Sequence, residues 1–528
     1  MIPAINGCEK VTGENVYLSK GVSVRLDGLS DYCVQAFADR MERRGCRVAA
    51  EKGEEEGTIP VCIRRDESLG EEGYRLGIFD TWIQIDAGSE RGAVWALTSL
   101  VQMIGPDKGI RKAQYEDAPR MAHRGLHLDV ARHFFDADEV KKLIEQIALA
   151  KLNVLHWHLS DDQGWRIESR RFPKLQEVSG ACYTQEEIRD IVSFAHVRGV
   201  EIIPEIDMPG HMSALLAAYP QYGCSKKKVR LAERGGVYRA ILCAGSEAVY
   251  DFLEELLDEL CGLFPSKRFH IGGDEVPKGG WQACPVCSAK MREEQMESFH
   301  DLEGYFLSRA AAILKRHGKS VICWNDCLVS RLRPENLQIQ YWSVQYNGPF
   351  SDYIHEGGSW IYSDMFELYL DYPHAMTSVK KMYDSSIDLG SAAYDGSCPP
   401  VGMEACVWTE HIADRETLER RIFPRAYVLA ELTWSRAGDY REFEERLKAE
   451  MERAMADGVC VTPFEGWNPQ GEARRRETLA YMGTMNAGIT TEETDETVDP
   501  SDVGEDFQRK FVTRFFAPED AAALLSGR

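Results

Sequence analysis

No apolar run in these 528 residues approaches the ~20 needed to span a bilayer, so no membrane-embedded part is expected. Bases are the minority charge: 62 Lys and Arg against 85 Asp and Glu leave a net −23. A field of that sign repels phosphate, which argues against nucleic acid and anionic lipid as partners and fits a neutral substrate better. The run MIPAINGCEKVTGENVYLSKG has no basic start followed by an apolar core, so no signal peptide is expected and the chain reads as cytoplasmic. The 15 cysteines are odd in number and irregular in spacing. Several, such as Cys62, Cys323 and Cys406, lie in apolar runs and read as buried free thiols rather than a disulfide framework. Cys284-Pro-Val-Cys287 is the one CxxC, and the sequence presents no second ligand pair at matching spacing. No metal and no cofactor are therefore expected, and nothing in the pattern sets an oligomeric state.

The hydrophobic content, 44%, is enough for a sizeable core. Residues 1–118 read as a separate α+β domain. In it Gly73-Tyr-Arg-Leu-Gly-Ile-Phe79 and Trp82-Ile-Gln-Ile85 form two strands about a turn, and 32–44 and 90–104 carry helical periodicity. From about residue 120 β-rich runs recur, each ending in polar residues. They are Gly125–Asp129, Asn153–His158, Val200–Asp207, Arg268–Glu275, Ser320–Asp326, Leu337–Trp342, Trp360–Asp364 and Glu404–Glu410. Amphipathic helices alternate with them, at 136–152, from Thr184 (with Glu187 completing a capping box), and at 246–264, 300–317 and 423–436. Eight β-runs alternating with helices predict an α/β fold, a (β/α)8 TIM barrel over 119–440 preceded by the smaller domain. The Gly-rich first turn of a doubly wound dinucleotide fold is missing. Residues 441–528 read as a helical extension with an acidic, flexible segment at 490–506, and 511–516 as a run that docks back.

A barrel gathers the C-terminal ends of its strands into one pocket. Those ends carry Asp129, His158, Asp161, Asp207, Asp274, Glu275, Trp324, Asp326, Trp342, Trp408 and Glu410, and acids with indoles around one pocket suggest sugar chemistry. Asp274 and Glu275 follow Gly272-Gly273, which permits a bend or a close ligand approach. Glycoside cleavage needs an acid for the leaving oxygen and a group that stabilises the oxocarbenium-like carbon. Two adjacent residues approach from one side and do not flank the scissile bond. That favours attack by a 2-acetamido oxygen of the substrate itself, with one carboxylate orienting the acetamido N–H and the other serving as acid, then base. A lone Asp-Glu dipeptide caps a helix just as readily, but His156-Trp-His-Leu-Ser-Asp-Asp162 and Asp207-Met-Pro-Gly-His211 bring imidazoles and carboxylates to neighbouring strand ends.

The runs Arg124-Gly-Leu-His-Leu-Asp-Val-Ala-Arg-His-Phe134, Lys151-Leu-Asn-Val-Leu-His-Trp-His-Leu-Ser-Asp-Asp-Gln-Gly-Trp-Arg166, Glu205-Ile-Asp-Met-Pro-Gly-His211 and His270-Ile-Gly-Gly-Asp-Glu-Val276 resemble the signature segments of glycoside hydrolase family 20, the β-N-acetylhexosaminidases. The resemblance covers about residues 70–440 and implies the substrate-assisted mechanism. Carried over, it gives Asp274 the acetamido N–H and Glu275 the acid/base role, while Tyr369 holds the acetamido oxygen. Trp324, Trp342 and Trp408 become the cage around the acetamido methyl and the sugar face. Arg132 grips the 3- and 4-hydroxyls, and Asp371 and Glu410 accept from the 4- and 6-hydroxyls. Asp161, Asp207 and His211 stand behind Glu275.

The chain departs from the pattern at Lys381-Met-Tyr-Asp-Ser-Ser386, where Tyr383 takes the place of an aromatic-rich loop. The implied activity is exo-release of terminal GlcNAc or GalNAc from oligosaccharides or glycoconjugates. Left open are a relative that releases a disaccharide such as lacto-N-biose, a silent carbohydrate-binding protein, and a hydrolase using Asp274 as a covalent nucleophile.

Overall fold

The computed structural model describes residues 1–49, 57–385, 396, 398–435, 438–488, 511–516 and 518–525. The acidic segment expected at 490–506 lies outside them, as does Ser386. The N-terminal sheet has seven strands: β1 (Gly7–Tyr17), β2 (Val22–Asp27), β3 (Val48–Ala49), β4 (Ile59–Arg65), β5 (Tyr74–Ile78), β6 (Ile83–Ala87) and β7 (Gly109–Asp117), in the order β1-β7-β5-β6-β4-β2-β3. The β5–β6 hairpin read from sequence is present and antiparallel. Helices Tyr32–Arg43 and Glu90–Met103 lie where periodicity placed them, and their apolar residues pack on the sheet.

All eight predicted β-runs close into one parallel barrel: β8 (His123–Asp129), β9 (Val154–His158), β10 (Glu201–Glu205), β11 (Arg268–His270), β12 (Ser320–Trp324), β13 (Leu337–Tyr341), β14 (Ser359–Tyr362) and β15 (Gly402–Ala405), with β15 pairing back to β8. From β10 to β15 the ladders stop earlier than the sequence runs do, most of all in β11 and β15, which end at His270 and Ala405; His270 lies four residues before Asp274. Past the ladder the backbone is free to turn the acids into the pocket. Helix Ala137–Leu149 starts in a capping box of Asp136 and Glu139, and Gln185–His196 in one of Thr184 and Glu187, so local chemistry marks where the chain leaves each strand.

The side-chain period of two decides what fills the barrel. Val154, Ile203, Ile322 and Ile361 form an apolar plug, and the interior above them is polar. Glu404 accepts from His123 Nε2, His156 Nδ1 (2.7 Å each) and Gln340 Nε2 (2.8 Å). Glu205 meets His158 Nδ1 (2.5 Å), His270 Nδ1 (2.8 Å), His156 Nε2 (3.1 Å) and the Trp324 indole N–H (2.9 Å). Burial opposes charge on both glutamates, but the facing imidazoles hold each far below the usual carboxylate range. These pairs form a rigid polar floor under the strand ends.

Among the described residues no helix is long and apolar enough to cross a membrane. The helix expected after the barrel runs Arg425–Trp434, and Tyr440–Ala456 packs Phe443, Leu447 and Met451 into the main core rather than lying loosely on the surface.

Candidate active site

Asp207, Trp324, Trp342 and Trp408 continue the inward parity of their strands, and Asp274 is turned in past the end of its ladder to meet them above the floor. Gly272 and Gly273 precede Asp274 with φ +65° and +87°, and Glu275 itself sits at φ +49°, a conformation that costs a non-glycine residue. A Cβ at Gly272 would lie 1.7 Å from Asp207 Oδ1, so only glycine lets the two segments close on each other. The Gly273 N–H donates to the same oxygen at 3.3 Å.

Asp207, Asp274, Glu275 and Asp326 crowd this point. Burial, reinforced by Asp274, pushes Asp207 well above the carboxylate range. Burial raises Asp274 to about 7 against the pull of His211, and Asp326 to about 8 with help from Asp274. His211 is their counter-charge. Burial disfavours its protonation, but Asp161, with hydrogen bonds to Asp161, Asp162 and Glu275, raises it well above the imidazole range. Its Nδ1 lies 3.2 Å from both Asp161 Oδ1 and Asp162 Oδ2, and its Nε2 lies 3.5 Å from Glu275 Oε2 and 3.9 Å from Asp274 Oδ2. Asp161 and Asp162 thus share His211 and divide the rest. Asp161 also faces His158 Nε2 and Arg132 Nη2 (2.8 Å each), whereas Asp162 holds the Ser213 N–H and hydroxyl. Carboxyls whose ionisation burial and mutual repulsion oppose are favoured as carboxylates by positive charge developing beside them, so this point suits a transition state of that sign.

The aromatic wall joins Trp324, Tyr369, Trp342 and Trp408 in one cluster. Trp324 and Trp408 centroids are 5.8 Å apart, Tyr369 and Trp408 6.3 Å, and Trp342 stacks on Tyr369 at 6.5 Å. The Trp408 indole N–H donates toward the Tyr369 hydroxyl. Arg132 lies over Trp408 at 5.0 Å, with Glu410 at 4.0 Å and Gln163 Oε1 accepting from its Nε at 3.1 Å. Asp371 is buried, is raised to about 7 by burial and then by Glu410, and has Oδ1 without a protein partner. These contacts bring Asp161, Asp207, His211, Asp274, Glu275 and Tyr369 together with Arg132, Trp324, Trp342, Asp371, Trp408 and Glu410.

Two features escaped the sequence reading, and a third gives substance to an expectation it made. Asp326, noted only as a strand end, accepts the Glu275 backbone N–H at 3.2 Å and the Trp342 indole N–H, so it sets both. Tyr481 from helix Gly471–Gly488 donates to Asp371 at 3.4 Å. Phe511, Phe515 and Phe516 pack in the same cluster as Tyr369 and Tyr372, which gives the run expected to dock back a definite seat. One expectation is corrected: Tyr383 does not line the pocket. It is buried against Phe443 at 4.6 Å, with its hydroxyl accepting from the Gly438 N–H, because its helix Val379–Tyr383 packs on the C-terminal helix.

A model described as "Glycosyl hydrolase family 20, catalytic domain" matches residues 121–437, and one described as "Glycosyl hydrolase family 20, domain 2" matches 1–118. A β-hexosaminidase of Porphyromonas gingivalis is 32% identical, covering 83% of this chain and 61% of its own length, so this chain spans about three-fifths of that relative. Among solved structures, a β-N-acetylhexosaminidase from Bacteroides fragilis superposes with TM-score 0.79 at 28% identity, covering 88% of this chain and 97% of the other. An exo β-N-acetylglucosaminidase from Vibrio harveyi, solved with N-acetylglucosamine, gives 0.78 at 27% identity, covering 88% and 78%.

Proposed function

We propose that this chain, which belongs to glycosyl hydrolase family 20, is an exo-acting β-N-acetylhexosaminidase that releases terminal GlcNAc or GalNAc with retention of configuration. The observation that carries this reading is the adjacency of Asp274 and Glu275 beside an indole cage, with His211 behind them. Separate carboxylates flanking the bond, about 5 Å apart for a covalent nucleophile, are the ordinary retaining design. Neighbours on one strand end suit a substrate that brings its own nucleophile.

In this reading the acetamido carbonyl oxygen attacks the anomeric carbon while Glu275 gives its proton to the departing oxygen. Asp274 accepts from the acetamido N–H as positive charge spreads over the forming oxazolinium ring, and the Tyr369 hydroxyl donates to the acetamido oxygen. Glu275, now a carboxylate, takes a proton from water as that water opens the ring at the same face. Trp324, Trp342 and Trp408 enclose the acetamido methyl, Arg132 takes the 3- and 4-hydroxyls, and Asp371 and Glu410 the 4- and 6-hydroxyls. Asp161 and Asp207, with His211, keep the acids in position. No cofactor enters.

We divide the chain at 1–118, 119–440 and 441–528, supported by a sheet ending at Asp117 and a barrel beginning at His123. The substrate class is supported by the family and by the N-acetylglucosamine complex of the Vibrio harveyi relative. None of the 14 cysteines whose side chains are described is in a disulfide, which supports a reducing, cytoplasmic setting and short imported oligosaccharides as substrates. The acidic balance supports a glycan rather than nucleic acid or a membrane as partner.

Hydrolysis of matched 4-nitrophenyl β-glycosides tests the reading. Release from GlcNAc or GalNAc but not from glucose is expected. Release from lacto-N-biose alone moves the chain to disaccharide release, and silence on all of them leaves a binding protein.

A further inference from the structure

The CxxC that sequence left without a partner pair has one in three dimensions. Cys224, Cys243, Cys284 and Cys287 bring their four sulfurs within 4.8 Å of one another. Cys224 and Cys287 lie 3.7 Å apart, Cys243 and Cys287 3.7 Å, and Cys243 and Cys284 3.8 Å. A disulfide needs about 2.0 Å, so these are not bonded pairs. With zinc–sulfur bonds of about 2.3 Å, the edge of a tetrahedron of thiolates is about 3.8 Å. These three separations match that edge, and all six lie within 4.8 Å.

The surroundings are built for thiolates. Cys243, Cys284 and Cys287 are buried and Cys224 is half-buried. Cys284 is the N-cap of helix Pro285–Glu293, which puts Cys287 in its first turn. Gly245 presses against that turn so closely that a Cβ there would lie 2.5 Å from the Val286 carbonyl oxygen, and its N–H is directed at the sulfurs of both Cys243 and Cys287. Such a donor offsets the negative charge that four thiolates around a dication retain.

We propose that Cys224, Cys243, Cys284 and Cys287 bind one zinc ion as a closed tetrathiolate site that fastens the 224–243 loop to the segment following Asp274 and Glu275. Four thiols lose four protons to the solvent, four zinc–sulfur bonds form, and no oxidation state changes. With all positions filled by protein the ion has a structural task. What it holds matters to the pocket. From the loop it closes, the Ala232 N–H donates to the Asp162 carbonyl oxygen (3.1 Å), and the Arg234 carbonyl oxygen accepts from Gln163 Nε2 (2.7 Å). The same loop packs Gly235 against Glu410. Gln163 in turn accepts from Arg132. The staple therefore positions one rim of the sugar site without touching substrate.

The test is elemental analysis of the purified full chain, desalted without chelator, together with its visible spectrum. The expected result is about one zinc per chain, a colourless solution, and release of that zinc to a chromogenic dye when an organomercurial titrates the thiols. Cys284→Ser and Cys287→Ser are each expected to lose the zinc. If either variant is insoluble, mercurial release from the unaltered protein carries the result. Zinc well below one-tenth per chain with all four thiols free, a disulfide among them by mass, or iron with visible absorption would overturn the proposal. Removing zinc should raise KM for an aryl glycoside more than it lowers kcat, whereas an unchanged KM contradicts the link to the pocket. Metal content is read independently of activity, so an inactive protein that holds zinc refutes only the hydrolase reading.

Discussion

Glu275 and Asp274 are neighbours in sequence with different surroundings. Glu275 is the more exposed, its side chain 39% accessible against 12% for Asp274, as a group exchanging protons with a leaving group and then with water needs to be. Glu275→Gln should cut turnover of natural-type glycosides by about 10²–10⁴-fold and that of 4-nitrophenyl substrates far less, because a good leaving group needs little protonation. Asp274→Asn should slow both classes by about 10²–10³-fold; intact aryl-glycoside turnover in that variant would remove Asp274 from the chemistry. The pH profile follows from burial. Asp274, raised to about 7, is neutral below that pH and charged above it. Since the charged form is the one that accepts the acetamido N–H, the acid limb of kcat/KM should fall near neutrality and flatten in Asp274→Asn. A bound N–H donor favours the carboxylate, so the limb of kcat should lie at lower pH than that of kcat/KM. Coincident limbs would contradict it.

At the scale of elements, the barrel was legible because its strands keep the period of two and its helices open with capping residues such as Thr184 and Glu187. The acids and indoles were legible because strand ends converge. Asp326 was harder to read. Its importance lies in accepting the Glu275 backbone N–H and the Trp342 indole, pairings made between strands that no single run of sequence displays. Asp326→Ala should lower kcat by about 10²-fold through misplacement of those two groups, with little change in melting temperature. The part played by Tyr481 was illegible for a related reason: it reaches Asp371 across 110 positions, and the register of such a contact is set by packing. Tyr481→Phe should raise KM and leave folding intact. Phe515→Ala, which empties a buried seat beside Tyr372, should destabilise by up to about 3–5 kcal/mol and be seen first as a lower unfolding midpoint.

Across the whole molecule, the runs whose resemblance suggested a family divide their labour between chemistry and assembly. Arg124 and Lys151 open two of them, yet neither faces the pocket. Arg124 pairs with Glu72, and Asn153 Nδ2 donates to the same carboxylate at 2.9 Å. Lys151 Nζ lies 3.2 Å from Asp117, which also accepts from Tyr74, Trp434 and the Asn6 N–H. Asp117 thus ties the N-terminal sheet, the start of the barrel and the helix that follows it into one buried knot. Removing one partner of such a pair strands the other, so Asp117→Ala should cost about 3–5 kcal/mol of stability with kcat of the surviving folded enzyme unchanged. Burial lowers Lys151 to about 8 against the pull of Asp117, an environment that is costly without its partner.

The central claim is that the substrate's own acetamido oxygen is the nucleophile, guided by Asp274. The most direct measurement is kcat/KM for aryl β-glucosaminides whose N-acetyl group carries zero, one, two or three fluorines. Each fluorine withdraws electrons from the attacking oxygen without altering the leaving group. A steep, monotonic fall in rate along the series is predicted. Rates that stay level across it would mean that the carbonyl oxygen takes no part in the attack, and that a carboxylate of the protein does.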